Sequence, residues 1–245
     1  MSKDDLLMVI YIINSCFRIQ TEEDYHRLIR ETADYLGFQF ILYCYCKISY
    51  SKGSIVNIIN ISNPADWMLK YQTCNYMAND PVRIEMELKL QHGIKSSFIK
   101  WDSFDRELSR YEIELINERC SYGLNHGFSV YQDSSNSDFT FLISFADRNM
   151  TADSRMEEFM LRIINHMTAA RKRLDIVFLY NTLTDKEKLL CEHLLAGKSN
   201  IEISNDLNIA ENTVKYHMQS VCTKLGVLNR QQATAAVMTG KYLNL

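Results

Sequence analysis

The chain has 245 residues, 47% apolar and 23% charged, an ordinary globular profile with length for two domains. Its net charge of −3 selects no class of partner, and its seven cysteines, scattered without a C-x-x-C pair, argue against a disulfide framework and a structural zinc site. No apolar run approaches a membrane span and Met1 to Asp5 open without a signal-peptide pattern, so a cytoplasmic protein with no membrane contact is expected.

In chain order, Leu6 to Cys16 and Glu22 to Leu36 carry amphipathic helical spacing, the second capped by Thr21. Gly37 breaks the pattern, and Phe38 to Ile48 is an aromatic, β-prone run. Ser54 to Ile61 reads as a second strand after the turn-former Gly53. Pro64 opens a short helix over Ala65 to Cys74, since proline fits a first helical position. Asn79-Asp80-Pro81 is a turn-and-cap signal for a helix over Val82 to Lys89. Ile94 to Trp101 is extended, and Asp102 or Ser103 is expected to cap a helix running to about Tyr122. Gly123 and Gly127 frame the entry to a hairpin, Phe128 to Gln132 and Phe139 to Phe145, with a polar tip at Asp133 to Ser137. A long helix follows from Asp153 to Tyr180. Helices on either side of sequence-adjacent strands predict an α+β domain over 1–175, an antiparallel sheet with helices on both faces. Residues 176–182 are expected as a linker, and 183–245 as an all-α four-helix helix-turn-helix domain.

Both prolines and both tryptophans fall between Pro64 and Trp101. Trp67 and Tyr71 are four apart and share a helical face, which by spacing alone is either core or one wall of a small-molecule pocket. Asp80 is a helix cap or, against an indole N–H donor, an acceptor for a ligand.

The stretch from Leu183 to Arg230 is denser in signals. Thr184 and Glu187 form a capping box, and Gly197 supplies the left-handed C′ residue. Asn200 to Leu207 make a short helix, and a tight turn at Asn208 to Ala210 leads into a helix over Glu211 to Leu225. Val214, Met218, Val221 and Leu225 form its buried stripe, while Asn212, Lys215, Tyr216, Gln219 and Thr223 face outward. A short helix with a polar, basic outward face suits the DNA major groove. From Asn212 onward there is no acidic residue, as a surface that meets phosphate requires.

This segment resembles the C-terminal domain of LuxR-type transcription regulators, whose pattern runs LTxRE…GxSNxEIAxxLxIxxxTVKxH…KLGVxxR. Leu183, Thr184, Glu187, Gly197, Ser199, Asn200, Glu202, Ile203, Leu207, Ile209, Thr213, Val214, Lys215, His217, Lys224, Leu225, Gly226, Val227 and Arg230 match it. Lys186 replaces the usual arginine, and Ala210 replaces the serine or threonine that caps the recognition helix, a loss of about 1 kcal/mol. The resemblance implies double-stranded DNA as partner; Lys215, Tyr216 and Gln219, on the outward helix face, are expected at base edges, His217, Lys224 and Arg230 near phosphates, and Thr213 among the DNA-binding residues.

The N-terminal part resembles the autoinducer-binding domain of the same regulators. Its six recurring positions fall on Trp67, Tyr71, Asp80, Pro81, Trp101 and Gly127. The family implies a small-molecule signal, an acyl-homoserine lactone or similar, and no cofactor or metal. Trp67 would donate to the lactone carbonyl, Asp80 would accept from the amide N–H, Tyr71 and Trp101 would line the pocket, and Ser144 would lie near the amide carbonyl. Asn63 stands where a tyrosine is common. A near-palindromic operator calls for a homodimer, with Ala233, Ala236 and Val237 or Met156, Phe159, Ile163, Met167 and Ala170 as candidate faces. Two other functions compete with this reading. A phosphorylation-controlled response regulator needs βα repeats and an early acidic pair, and Asp4-Asp5 precede no strand. An enzyme needs a nucleophile–base pattern, which is missing.

Overall fold

The computed structural model describes residues 1–47, 55–133 and 139–242; the expected turn at Gly53, the strand ends at Ile48 and Ser54, and the hairpin tip from 134 to 137 lie outside the described residues. The chain forms two compact units, Met1–Arg18 with Glu23–Thr168, and Ile19–Glu22 with Ala169–Leu245.

The first unit contains α1 (Lys3–Arg18), α2 (Glu22–Leu36), β1 (Phe40–Lys47), β2 (Ile55–Asn60), α3 (Ala65–Thr73), a single 3₁₀ turn (Tyr76–Asn79), α4 (Pro81–Gln91), β3 (Ser96–Lys100), α5 (Arg110–Ser121), β4 (His126–Asp133), β5 (Phe139–Asp147) and most of α6 (Ser154–Asn181). The strands form one antiparallel sheet in the order β2-β1-β5-β4-β3. No parallel βα repeat occurs among the described strands, so this domain is not the doubly wound receiver of a response regulator.

Strand alternation sends neighbouring side chains to opposite faces, and here both faces are apolar. On one face Tyr43, Phe128, Ile143 and Phe145 are buried beneath α2, with Tyr25 set edge-on to Tyr43 at 5.6 Å. The Tyr25 hydroxyl also donates to the Met167 carbonyl of α6 at 3.2 Å. Asp5 of α1 ties the same layer together: it accepts from the Tyr35 hydroxyl at 2.9 Å and from Arg155 at 2.8 Å. On the other face Cys44, Leu142, Ala146, Ile99 and Tyr131 pack against Trp67, Met86 and Leu115 of α3, α4 and α5. The expected α+β sandwich with helices on both faces is therefore what the chain forms.

Two boundaries differ from expectation. Helix α5 starts at Arg110, not near Asp102, because Ser109 and Glu112 close a capping box there and Arg106 pairs with Glu112. The S-x-x-E spacing was legible but stands behind two other plausible caps. The stretch 176–182, expected as linker, is helical through Asn181: Ile176, Leu179 and Tyr180 pack into the core of the second unit, which favours continuing the helix.

The second unit holds α7 (Asp185–Leu195), α8 (Asn200–Leu207), α9 (Glu211–Lys224) and α10 (Arg230–Tyr242) around Leu190, Cys191, Ile203, Val214, Val221, Leu225 and Val237. Capping boxes at Thr184–Glu187 and Ser199–Glu202 set the starts of α7 and α8. The turn before α9 passes through Asn208 at φ 50°, a left-handed conformation that asparagine tolerates better than most residues. Met156, Phe159, Ile163, Met167, Ala170, Ala233, Ala236 and Val237, expected as dimer faces, are all buried within the chain. Their spacing marks core, since helical apolar stripes serve a fold's own packing first.

Candidate ligand cavity and nucleic-acid interface

A cavity of about 80 Å³ lies between the sheet and helices α3 to α5, lined by Trp67, Tyr71, Asp80, Trp101, Ser144 and Asn63 among others. Its floor is Leu42, Cys44 and Leu142 of the sheet, and three methionines, Met68, Met77 and Met86, complete the apolar wall. Trp67 is buried at its centre, its ring 5.7 Å from Tyr71, 5.8 Å from Tyr76 and 5.5 Å from Tyr122. Among the described residues its indole N–H has no hydrogen-bond acceptor, so the donor is free to meet a ligand.

Asp80 does two jobs at once. Its Oδ1 accepts from the Val82 amide at 2.8 Å and the Arg83 amide at 3.4 Å, capping α4 ahead of Pro81. Its Oδ2 accepts from the Tyr71 hydroxyl at 2.6 Å. Burial and then the Asp80 charge hold the Tyr71 phenol well above its ordinary pKa, so it stays a donor. A carboxylate offers about four acceptor sites. Three are filled, which leaves one on this cavity-lining carboxylate.

The opposite wall is a chain of hydrogen bonds. Trp101 Nε1 donates to Ser129 Oγ at 2.9 Å, and Ser129 Oγ lies 2.7 Å from Ser144 Oγ. Ser129 and Ser144 are register partners on β4 and β5, so the sheet itself brings them together. Trp101 sits flat against the sheet because Gly127 opposite has no side chain. A Cβ there would lie 2.4 Å from the Phe145 carbonyl oxygen and 2.9 Å from the indole.

One further residue enters this cavity. Arg119 of α5 is 5% exposed, its guanidinium 4.1 Å from the Trp101 ring centroid, and its Nε has no hydrogen-bond partner among the described residues. Burial lowers its pKa against the pull of Asp80, though a guanidinium still keeps its proton. A lone arginine in Asn117-Glu118-Arg119-Cys120 carries no sequence signal for this placement.

In the second unit the recognition helix α9 presents Lys215, Tyr216 and Gln219 to solvent, Tyr216 69% exposed beside His217, with Thr213 half-buried at its start. Lys215 Nζ lies 2.9 Å from Glu211 one turn earlier, an exposed pair that phosphate or a base edge can displace. Ala210 begins α9 with no side-chain cap. Lys224 and Arg230 are engaged inside the domain. Lys224 donates to buried Glu187 at 2.7 Å; Arg230 Nη1 donates to Asn200 Oδ1 at 2.8 Å and its Nη2 to the Lys198 carbonyl.

Residues 21–171 match the autoinducer binding domain family, and residues 181–237 match the bacterial regulatory proteins of the luxR family. The chain belongs to the LuxR-type quorum-sensing transcription regulators.

Among LuxR-type relatives, the transcriptional activator VanR of Vibrio anguillarum is 24% identical over 96% of this chain and 98% of its own. The activator LuxR of Aliivibrio fischeri is 26% identical over 94% and 92%. The fold is that of Escherichia coli SdiA, with a TM-score of 0.57 at 20% identity over 96% of this chain and 97% of that one. The six positions that mark the LuxR-type sensor converge in this structure: four line the cavity, Pro81 starts α4 behind Asp80, and Gly127 admits Trp101. Asn63, in place of the tyrosine common in LuxR-type sensors, is buried at the cavity wall, its backbone held by Asn60 through bonds of 2.8 and 3.0 Å. No helix among the described residues is long and apolar enough to cross a membrane.

Proposed function

We propose that the cavity binds an acyl-homoserine lactone or a closely similar acylated signal, and that occupancy controls a homodimer reading a near-palindromic operator in the cytoplasm. The observation that carries this is the pairing of a free indole donor on Trp67 with the one open acceptor site on Asp80, inside an otherwise apolar cavity. That pairing suits a ligand presenting a carbonyl and an amide N–H at fixed separation. A cavity of about 80 Å³ is small beside the roughly 300–1,000 Å³ of typical ligand clefts. The three lining methionines have the flexible, unbranched side chains needed to repack around an acyl chain. SdiA, which shares this fold, has been solved in complex with octanoyl-rac-glycerol, an acylated small molecule.

On the DNA side, Lys215, Tyr216 and Gln219 read bases while Thr213 and His217 approach phosphate. Lys224 acts mainly by holding α9 against α7, and Arg230 by tying α10 to the start of α8. The dimer forms through apolar surface that the fold leaves uncovered, for which Leu6, Leu7, Ile10 and Tyr11 of α1, each about half exposed, are the candidates.

The test is thermal melting of the full chain with a panel of acyl-homoserine lactones, followed by selection from a random DNA pool with and without the best stabiliser. A ligand that binds only the folded state raises the midpoint by mass action. A lactone-dependent rise and enrichment of a two-fold-symmetric site are expected. No shift with any lactone, or enrichment of an asymmetric half-site by a monomer, contradicts the reading.

A further inference from the structure

Arg119 is a cavity-lining guanidinium whose buried Nε has no hydrogen-bond partner among the described residues, although the Asp80 charge reaches it. The cavity is lined by one carboxylate, Asp80, and two guanidiniums, Arg83 and Arg119. Arg83 is occupied: it donates to the Met77 carbonyl at 2.7 Å, the Ala78 carbonyl at 2.9 Å and Glu87 at 2.5 Å. Asp80 is met at three acceptor sites by the Tyr71 hydroxyl and the first amides of α4, where the helix dipole offsets part of its charge, and that charge also acts on Arg119. The neighbouring Glu118 pairs with Lys70, and Asp102 faces His126. Arg119 stacks on Trp101, which stabilises the cation but leaves its in-plane Nε–H without an acceptor.

Buried charges are normally paired, because an isolated ion loses its hydration without replacement. The planar guanidinium fork matches a carboxylate bidentately better than it matches a single carbonyl. Resting on the reading that this cavity holds the signal, we propose that the signal is anionic, an N-acylated amino acid whose amide N–H meets Asp80 and whose carboxylate pairs with Arg119. The acyl tail then runs along the methionine wall. The neutral lactone is the weaker ligand of the two, since it leaves the Arg119 Nε–H unfilled.

The experiment is calorimetric titration of the full chain with three head groups at matched butanoyl, hexanoyl and octanoyl chains: the N-acylglycine, its neutral N-acylglycinamide, and the acyl-homoserine lactone. In the unmodified protein the acid is expected to bind at least tenfold tighter than the isosteric amide and tighter than the lactone. In Arg119→Gln the acid's advantage over the amide should vanish while amide and lactone affinities change by less than threefold. Should that variant fold poorly, the acid-to-amide ratio in the unmodified protein decides alone. Lactone binding with no preference for the acid overturns the anionic signal and leaves the sensor reading standing. Failure of all three head groups overturns both.

Discussion

Glu187 of the DNA-binding unit and the lining of the sensor cavity treat buried polar groups in opposite ways. In the DNA-binding unit Glu187 is 4% exposed yet fully met: its carboxylate accepts from the Thr184 amide at 2.8 Å, the Ser220 hydroxyl at 2.8 Å and Lys224 at 2.7 Å. One side chain thereby caps α7 and fixes α9 against it. In the sensor cavity Trp67 and Arg119 are as deeply buried but keep donors open, and Asp80 keeps one acceptor site. A saturated buried group makes a rigid frame, whereas an unsaturated one costs free energy that a ligand can recover. The difference separates the part of the molecule that must present a fixed surface from the part that must respond.

The sharpest way to break this contrast is Glu187→Ala. It strips the α7 cap and removes the partner of the partly exposed Lys224, so a loss of about 1–3 kcal/mol in the melting of the second unit is expected. Ligand affinity in the cavity should hold wherever the first unit stays folded. A loss below about 1 kcal/mol would show that the network is decorative.

Acid titration sharpens the same point without mutation. Burial raises the Glu187 pKa, but Lys224, the Thr184 amide and the two hydroxyls outweigh it and bring it to about 2, below the ordinary 4.5. The folded state therefore gains stability above about pH 4.5 and loses it as pH falls through about 2, by roughly 3 kcal/mol in all. Asp5 behaves alike in the first unit: burial raises it, and bonds from Ser2, Tyr35 and Arg155 bring it to about 2. Glu187→Gln should flatten the acid limb for the second unit alone, as monitored by circular dichroism between pH 5 and 2.

Smaller effects test the surface. Lys215→Ala should cost about 1–3 kcal/mol of specific DNA binding and little of random-sequence binding. An equal loss on both would make Lys215 a phosphate contact only. Ala210→Ser supplies the missing α9 cap and should stabilise the second unit by about 1 kcal/mol in thermal melting. No gain would mean that Glu211 already satisfies the first turn.

The DNA-binding unit was legible because its signals are local: S/T-x-x-E boxes, Gly197 and a four-three-four apolar stripe fix each helix within a few residues of where it lies. Trp67, Tyr71 and Asp80 were legible as a group through the resemblance to LuxR-type sensors, since spacing alone leaves the two rings as core or pocket wall and Asp80 as a helix cap. Arg119 was not, because its burial depends on Trp101 arriving from β3 and on the register of β4 against β5. Ser129 was hidden for the same reason: only strand pairing puts it between Trp101 and Ser144. Lys224 and Arg230 match a DNA-facing pattern, yet their partners Glu187 and Asn200 lie 37 and 30 residues away in sequence.

The most direct test of the central claim is calorimetric titration of the unmodified chain, Asp80→Asn and Trp67→Phe with the stabilising lactone from the melting panel. Asparagine retains a capping oxygen for α4, so the fold should persist while the charge is lost. The account predicts that Asp80→Asn weakens binding about ten- to a hundredfold, the worth of a charge-assisted hydrogen bond. Trp67→Phe should weaken lactones more than analogues lacking the ring carbonyl. Unchanged affinity in both variants would contradict the assignment of this cavity as the signal site.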